Sequence, residues 1–147
     1  MRELTKDYAA YQENLKVYNK AKDAGDTEGM AKAREQHEAL MTAIDEEGGY
    51  YPRLYRFFEN MKDRGNDYID LSDPIMEKNL APMIDAFRTY GITHFYFSST
   101  WSSAVETAWA FIQSGCTLKG ITEIYGPYRN IMADGYEKAP AYLFKVN

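Results

Sequence analysis

The residues with the most chemical promise lie in one serine-rich run, Ser98-Ser99-Thr100-Trp101-Ser102-Ser103. It follows an aromatic segment with strand alternation and precedes one with helical spacing, so it reads as a strand-to-helix turn. Free backbone N–H groups and the helix dipole at such a turn can hold a phosphate or carboxylate, which makes Ser98, Ser99, Thr100, Ser102 and Ser103 the candidate ligand-binding residues. Helix capping accounts for the same hydroxyls, and Ser103 with Glu106 has the spacing of a capping box. The run also lacks the glycines that bring a phosphate onto the backbone in nucleotide loops.

Nucleophilic and metal chemistry find less support. His94 and Ser98 share a strand face, yet four residues at about 3.3 Å each put their backbones about 13 Å apart, too far for a nucleophile and its base. Cys116 is the single cysteine; it has no disulfide partner in the chain and no companion at metal-ligand spacing, so packing is its expected role. His37 and His94 have no second His or Cys at ligand spacing either. The expectation is a protein without catalytic residues, metal or cofactor, and not an enzyme.

A different cluster suggests recognition. The chain carries 13 Tyr, 7 Phe and 2 Trp, and Tyr125, Tyr128, Arg129, Asn130, Met132 and Tyr136 gather around residues 126–140, which read as a long loop between the last two strands. Aromatic rings, Arg and Met on a loop are the anchor types of protein interfaces, so these six are the candidate partner-binding residues. Only Arg129 and Lys138 supply positive charge nearby, too little for a base-stacking platform on nucleic acid. A net charge of −5 argues the same way, and against an anionic membrane surface.

The elements that must position these groups follow from periodicity. Leu4, Tyr8, Tyr11, Leu15 and Tyr18 recur at steps of four and three, as do Met30, Ala33, His37, Leu40 and Ile44 after a Gly25-Asp26 turn. Two such seams predict an antiparallel helical hairpin over residues 1–49, with Leu15 buried in the seam. A third helix runs from about Pro52 to Arg64, with Leu54, Tyr55, Phe58 and Met61 inward, and would cover part of a sheet. Tyr68–Leu71 is a short strand and Ser72-Asp73-Pro74 a helix start, and Pro82 inside the pattern that follows means either a kinked helix or a short turn and then a helix from about Leu80 to Tyr90. Thr93–Ser98 is a central strand, and the helix after the serine run has Trp101, Val105, Ala108, Trp109 and Ile112 as its inward face. Leu118–Tyr125, with a bulge at Gly120, and Ala141–Val146 complete the set. The fold class is α+β: the hairpin plus a β-α-β-α-β-β domain over residues 50–147 with a four-stranded mixed sheet. Right-handed crossovers make its first three strands parallel and leave the closing pair antiparallel.

Length and composition agree. At 147 residues there is room for one domain with an appendage, and 45% hydrophobic with 27% charged residues is ordinary for a soluble globular chain. No run approaches the roughly 20 apolar residues of a membrane span, and the first twenty residues lack an apolar signal core, so a cytoplasmic location is expected.

Through Tyr90-Gly91-Ile92-Thr93-His94-Phe95-Tyr96-Phe97 and on to Glu106, then through Leu118–Ile124 and Pro140–Lys145, the chain resembles a family of small uncharacterised proteins of gut Gram-positive bacteria and their mobile elements. The likeness spans roughly residues 66–147 and leaves out the hairpin. It implies no catalytic residue. What it implies is context, because accessory genes of mobile elements often encode small inhibitors of host defence, anti-CRISPR proteins among them. The sequence reading is therefore a non-enzymatic protein-recognition module, an inhibitor of a host-defence complex being the finer form. The alternative is a small-ligand or nucleotide-binding domain built on the serine-rich turn.

Overall fold

A computed structural model of the chain describes residues 2–48, 53–71, 80–99, 102–130, 132 and 134–147. The chain divides into two compact units, Met1–Tyr50 with Thr89–Gly91, and Tyr51–Arg88 with Ile92–Asn147.

In the first unit, α1 (Leu4–Asp23) and α2 (Thr27–Glu46) form the helical hairpin. The Asp26 side chain caps α2 by accepting the Gly29 N–H at 2.9 Å, the expected use of a short acid before a helix. Ala21, Ala33 and Ile44 are buried along the seam, and Tyr8, Tyr11, Tyr18, Met30, His37 and Leu40 are half-buried. Leu15 is not buried as its spacing predicts; it is 44% exposed. Two helices share a single line of contact, and the small Ala33 opposite leaves a cleft of about 250 Å³ whose wall includes Leu15, Tyr11 and Tyr18.

The first unit also contains a buried carboxylate with no apolar periodicity to announce it. Asp7 accepts Arg2 Nε at 2.7 Å, Arg2 Nη2 at 2.8 Å and the Tyr90 hydroxyl at 2.9 Å. Burial alone would raise its pKa, but the Arg2 and Tyr90 hydrogen bonds and the Arg2 charge outweigh that and hold it below the usual carboxylate range.

The second unit holds α3 (Leu54–Arg64), β1 (Ile69–Leu71), α4 (Leu80–Thr89, less its last residue), β2 (His94–Phe97), α5 (Ala104–Gln113), β3 (Cys116–Arg129) and β4 (Tyr136–Val146). The sheet order is β1-β2-β4-β3. β1 runs parallel to β2, and β4 is antiparallel to both of its neighbours. The first three strands thus run in one direction, as expected, and the last strand is inserted between the second and third. Pro82 lies in the first turn of α4, where its missing N–H costs no helical bond. Residues 49–52 and 72–79, which include the expected helix starts at Pro52 and Ser72-Asp73-Pro74, lie outside the described residues.

Strand alternation sorts β2 into two faces. Phe95 and Phe97 meet Phe111 of α5 at ring separations of 5.0 and 5.4 Å, and Phe95 also meets Phe87 of α4 and Phe144 of β4, each at 5.4 Å. On the other face Tyr96 packs with Ile124, Ala141 and Leu143. α3 packs on that side against β1, burying Leu54, Phe57 and Phe58. Tyr55 and Met61, expected inward, are half-buried, and Phe57 takes a core position.

Two expectations are corrected. The inward face of α5 is Phe111, which is fully buried, whereas Val105, Trp109 and Ile112 are 72%, 59% and 40% exposed. α5 is apolar on more than one side, and the largest buried ring, not the longest stripe, decides which side meets the sheet. Secondly, residues 126–140 are not a long loop, because β3 continues to Arg129 and β4 begins at Tyr136. The strand passes through Gly126 because the backbone comes close to its neighbour there: a Cβ on Gly126 would stand 2.9 Å from that of Ala139. The bulge expected at Gly120 is present as a register shift between Leu118 and Gly120, with Gly120 at φ +151°.

Two measurements check these assignments. Phe111→Ala should cost about 3–5 kcal/mol in urea unfolding, the range for a buried ring. Asp7 contributes stability that is complete above its unfolded pKa of about 3.9 and is lost as pH falls through the lowered folded value. The stability gap between the wild type and Asp7→Asn should accordingly narrow as the solution is acidified below about pH 4; a constant gap would contradict the buried ion pair.

Candidate functional site at the β-hairpin and the strand ends

β4 pairs with β2 only over Tyr142–Lys145, so from Tyr136 to Ala141 it pairs with β3 alone. A two-stranded ribbon is marginal by itself in water. The C-terminal end of α3 supports this one. Asp63 accepts the Tyr136 hydroxyl and lies 3.7 Å from Arg129 Nη2, which also donates to the Tyr136 oxygen at 3.3 Å. The guanidinium groups of Arg129 and Arg64 stand 5.0 and 5.7 Å from the Tyr136 ring centre. Asn66 receives the Tyr125 N–H at 2.9 Å and donates to the Tyr125 carbonyl at 2.8 Å, a side-chain imitation of strand pairing.

The six partner-binding candidates therefore separate into two groups. Tyr125 is engaged by Asn66, Arg129 and Tyr136 are engaged by Asp63 in the last rung before the turn, and Asn130 shapes the turn: its N–H donates to Gly135 and its side chain accepts the Met132 N–H, each at 3.0 Å. Tyr128 and Met132 point outward, 67% and 93% exposed. Asp63, Arg64 and Asn66 belong to the same arrangement and were not legible as site residues, because their partners lie about sixty or more residues along the chain.

The serine-rich turn lies at the ends of the parallel strands β1 and β2. Ser98 Oγ donates to Asp70 Oδ1 at 2.8 Å, and Arg64 Nη1 donates to Asp70 Oδ2 at 3.1 Å. Asp70 is 1% exposed. A buried carboxylate directly beneath Ser98 opposes an anion on that hydroxyl. Ser103 stands at the α5 N-cap without a side-chain cap bond, so the hydroxyl half of the expected capping box is not formed; its carbonyl instead accepts the N–H and the hydroxyl of Thr107, each at 3.0 Å. Ser99 is half-buried and Ser102 exposed, and Thr100 and Trp101 lie outside the described residues.

The remaining reactive groups are held in packing roles. His94 stacks on Tyr68 at 5.2 Å, with Nδ1 at 2.8 Å from the Thr93 hydroxyl. Burial raises the Tyr96 pKa, with the Asp67 charge and Tyr68 adding to it. Cys116 is buried, and that burial pushes its thiol up against a smaller opposing effect of Arg88.

A family model described as a domain of unknown function, DUF7698, matches residues 53–146. The chain belongs to that family. The match begins one residue before α3 and ends at the last residue of β4, so DUF7698 comprises α3 and the whole sheet, including the hairpin with its Asp63, Asn66 and Arg129 contacts. The helical hairpin lies outside the matched range. No curated protein and no solved structure matches the chain. Among the described residues no helix is long and apolar enough to cross a membrane.

Within DUF7698 the Asp70 contacts predict a graded response. Asp70→Ala leaves Arg64, 9% exposed at its side chain, without its ion partner and should cost about 3–5 kcal/mol in urea unfolding. Ser98→Ala removes one hydrogen bond to a charged group and should cost about 1.5–3 kcal/mol. Equal and negligible losses would remove the structural role given to Ser98.

Proposed function

We propose that this DUF7698 chain is a non-enzymatic protein-recognition module that presents the tip of its β3–β4 hairpin to a partner. The observation that carries this reading is the contrast within the hairpin: Asn66 holds Tyr125 and Asp63 holds the last rung before the turn, Arg129 with Tyr136, while Tyr128 and Met132 beside that rung are 67% and 93% exposed. A supported ribbon loses little conformational entropy on binding, and an aromatic ring beside a flexible thioether supplies contact area that adapts to a partner surface. The Ser98 bond to Asp70, the stacking of His94 on Tyr68 and the burial of Cys116 support a non-enzymatic reading. The partner class to test first is a host-defence complex, the context implied by the resemblance over residues 66–147 to proteins of mobile elements.

The experiment pairs capture with stability. Tyr128→Ala and Met132→Ala should each weaken capture of a partner from host lysate by roughly tenfold, with an unchanged thermal midpoint. Tyr136→Phe, which loses the Asp63 contact, should lower stability before it lowers affinity. Full capture by the Tyr128→Ala/Met132→Ala double variant would overturn the hairpin tip as the binding surface.

A further inference from the structure

Among the described residues of the second unit, no strand pairs with the side of β3 opposite β4. β3 is the outer strand of the sheet, and every residue from Thr117 to Glu123 is exposed. The Asn66 amide binds both the N–H and the carbonyl of Tyr125, so those groups face away from β4. By strand alternation the backbone groups of Glu123 and Ile121 face the same way. Beyond Tyr125 the edge is closed, first by Asn66 and then by Pro127, which has no N–H to offer. The open edge is therefore short, and it is centred on Ile121.

That edge adjoins exposed apolar surface. Leu118 and Ile121, 41% and 70% exposed, pair with Phe144 and Tyr142 and so lie on the face of the sheet that Phe111 of α5 covers. α5 packs against β3 and turns Val105, Trp109 and Ile112 outward, at the i, i+4, i+7 spacing of a helix-docking stripe. Together the five side chains expose on the order of 500 Å² of apolar surface, near the upper end of what a monomer leaves open. Strand pairing would bring the total toward the roughly 800 Å² per partner of a standard interface.

We propose that the outer edge of β3 and the outward face of α5 join a second copy of this chain about a two-fold axis at Ile121, giving one continuous eight-stranded sheet. The charge pattern selects a second copy over an unrelated partner. In an antiparallel pair centred on Ile121, the bulged Lys119 of each protomer falls beside Glu123 of the other, so the segment Lys119-Gly120-Ile121-Thr122-Glu123 complements itself in charge. Ile121 pairs with its own copy through two reciprocal backbone hydrogen bonds, and Glu123, which lies 3.6 Å from Lys138 within its own chain, gains a second cation. The Tyr128–Met132 tip takes no part, so this association stands or falls separately from the partner binding proposed above.

Sedimentation equilibrium of the full chain tests it. The wild type should approach twice its monomer mass with rising concentration, and Trp109→Glu and Ile121→Lys should each shift it to monomer with unchanged circular dichroism. Lys119→Glu alone and Glu123→Lys alone should each weaken association by roughly three- to tenfold, because each brings like charges together twice per dimer. The double exchange Lys119→Glu/Glu123→Lys should restore it. Should a variant unfold, hydrogen exchange of the wild type supplies the same answer through Ile121 and Glu123 amides whose protection rises with concentration. A monomer at every concentration up to about 100 μM, or a dimer indifferent to Trp109→Glu and to the charge exchange, would overturn the proposal.

Discussion

Phe95 makes three ring contacts at once, with Phe87 of α4, Phe111 of α5 and Phe144 of β4. Each such pair adds about 0.5–1.5 kcal/mol beyond the area it buries, but the arrangement matters more than the sum. One side chain on a four-residue strand sets the spacing between the sheet and both helices on that face. The outward turn of α5 follows directly: once Phe111 is seated against Phe95 and Phe97, Val105, Trp109 and Ile112 have nowhere to go but solvent. The opposite face is organised around a charge. Asp70 is held by Arg64 and Ser98, and that ties the end of α3 to the ends of β1 and β2.

Local rules made most of the elements legible. Both helices of the first unit, the glycine bulge and the direction of all four strands follow from spacing, caps and crossover handedness, which act over a few residues. The misreadings arose where a distant partner decides. Trp109 and Ile112 form a better stripe than Phe111 does, and only the phenylalanines of β2 and β4 select the single ring over the stripe. Gly126 and Pro127 carry the composition of a turn, yet close approach to Ala139 keeps them in a strand.

The candidate site divides in the same way. Tyr128 and Met132 were legible as candidates by residue type alone, and both are exposed. Arg129 and Tyr136 have the same types and a different use, since Asp63 reaches them from 73 residues away in the chain from Tyr136. The serine-rich turn read as ligand or cap chemistry, and Ser98 proved to serve Asp70, a carboxylate whose burial no periodicity announces. Asp7 is hidden for a related reason: its Tyr90 partner lies 83 residues away.

The insertion of β4 between β2 and β3 imposes an order on assembly during synthesis. β1, β2 and β3 emerge first, yet among the described residues of one chain the strand that pairs with β3 is β4 alone. Until that strand is available, the nascent chain holds a parallel β1–β2 pair and a long β3 with both edges unsatisfied, the kind of exposed strand that invites association. The pairing of α1 with α2 is local and can form far earlier. Translation thus delivers the two paired helices first, leaves Asp7 waiting for Tyr90, and closes the sheet in a single late step.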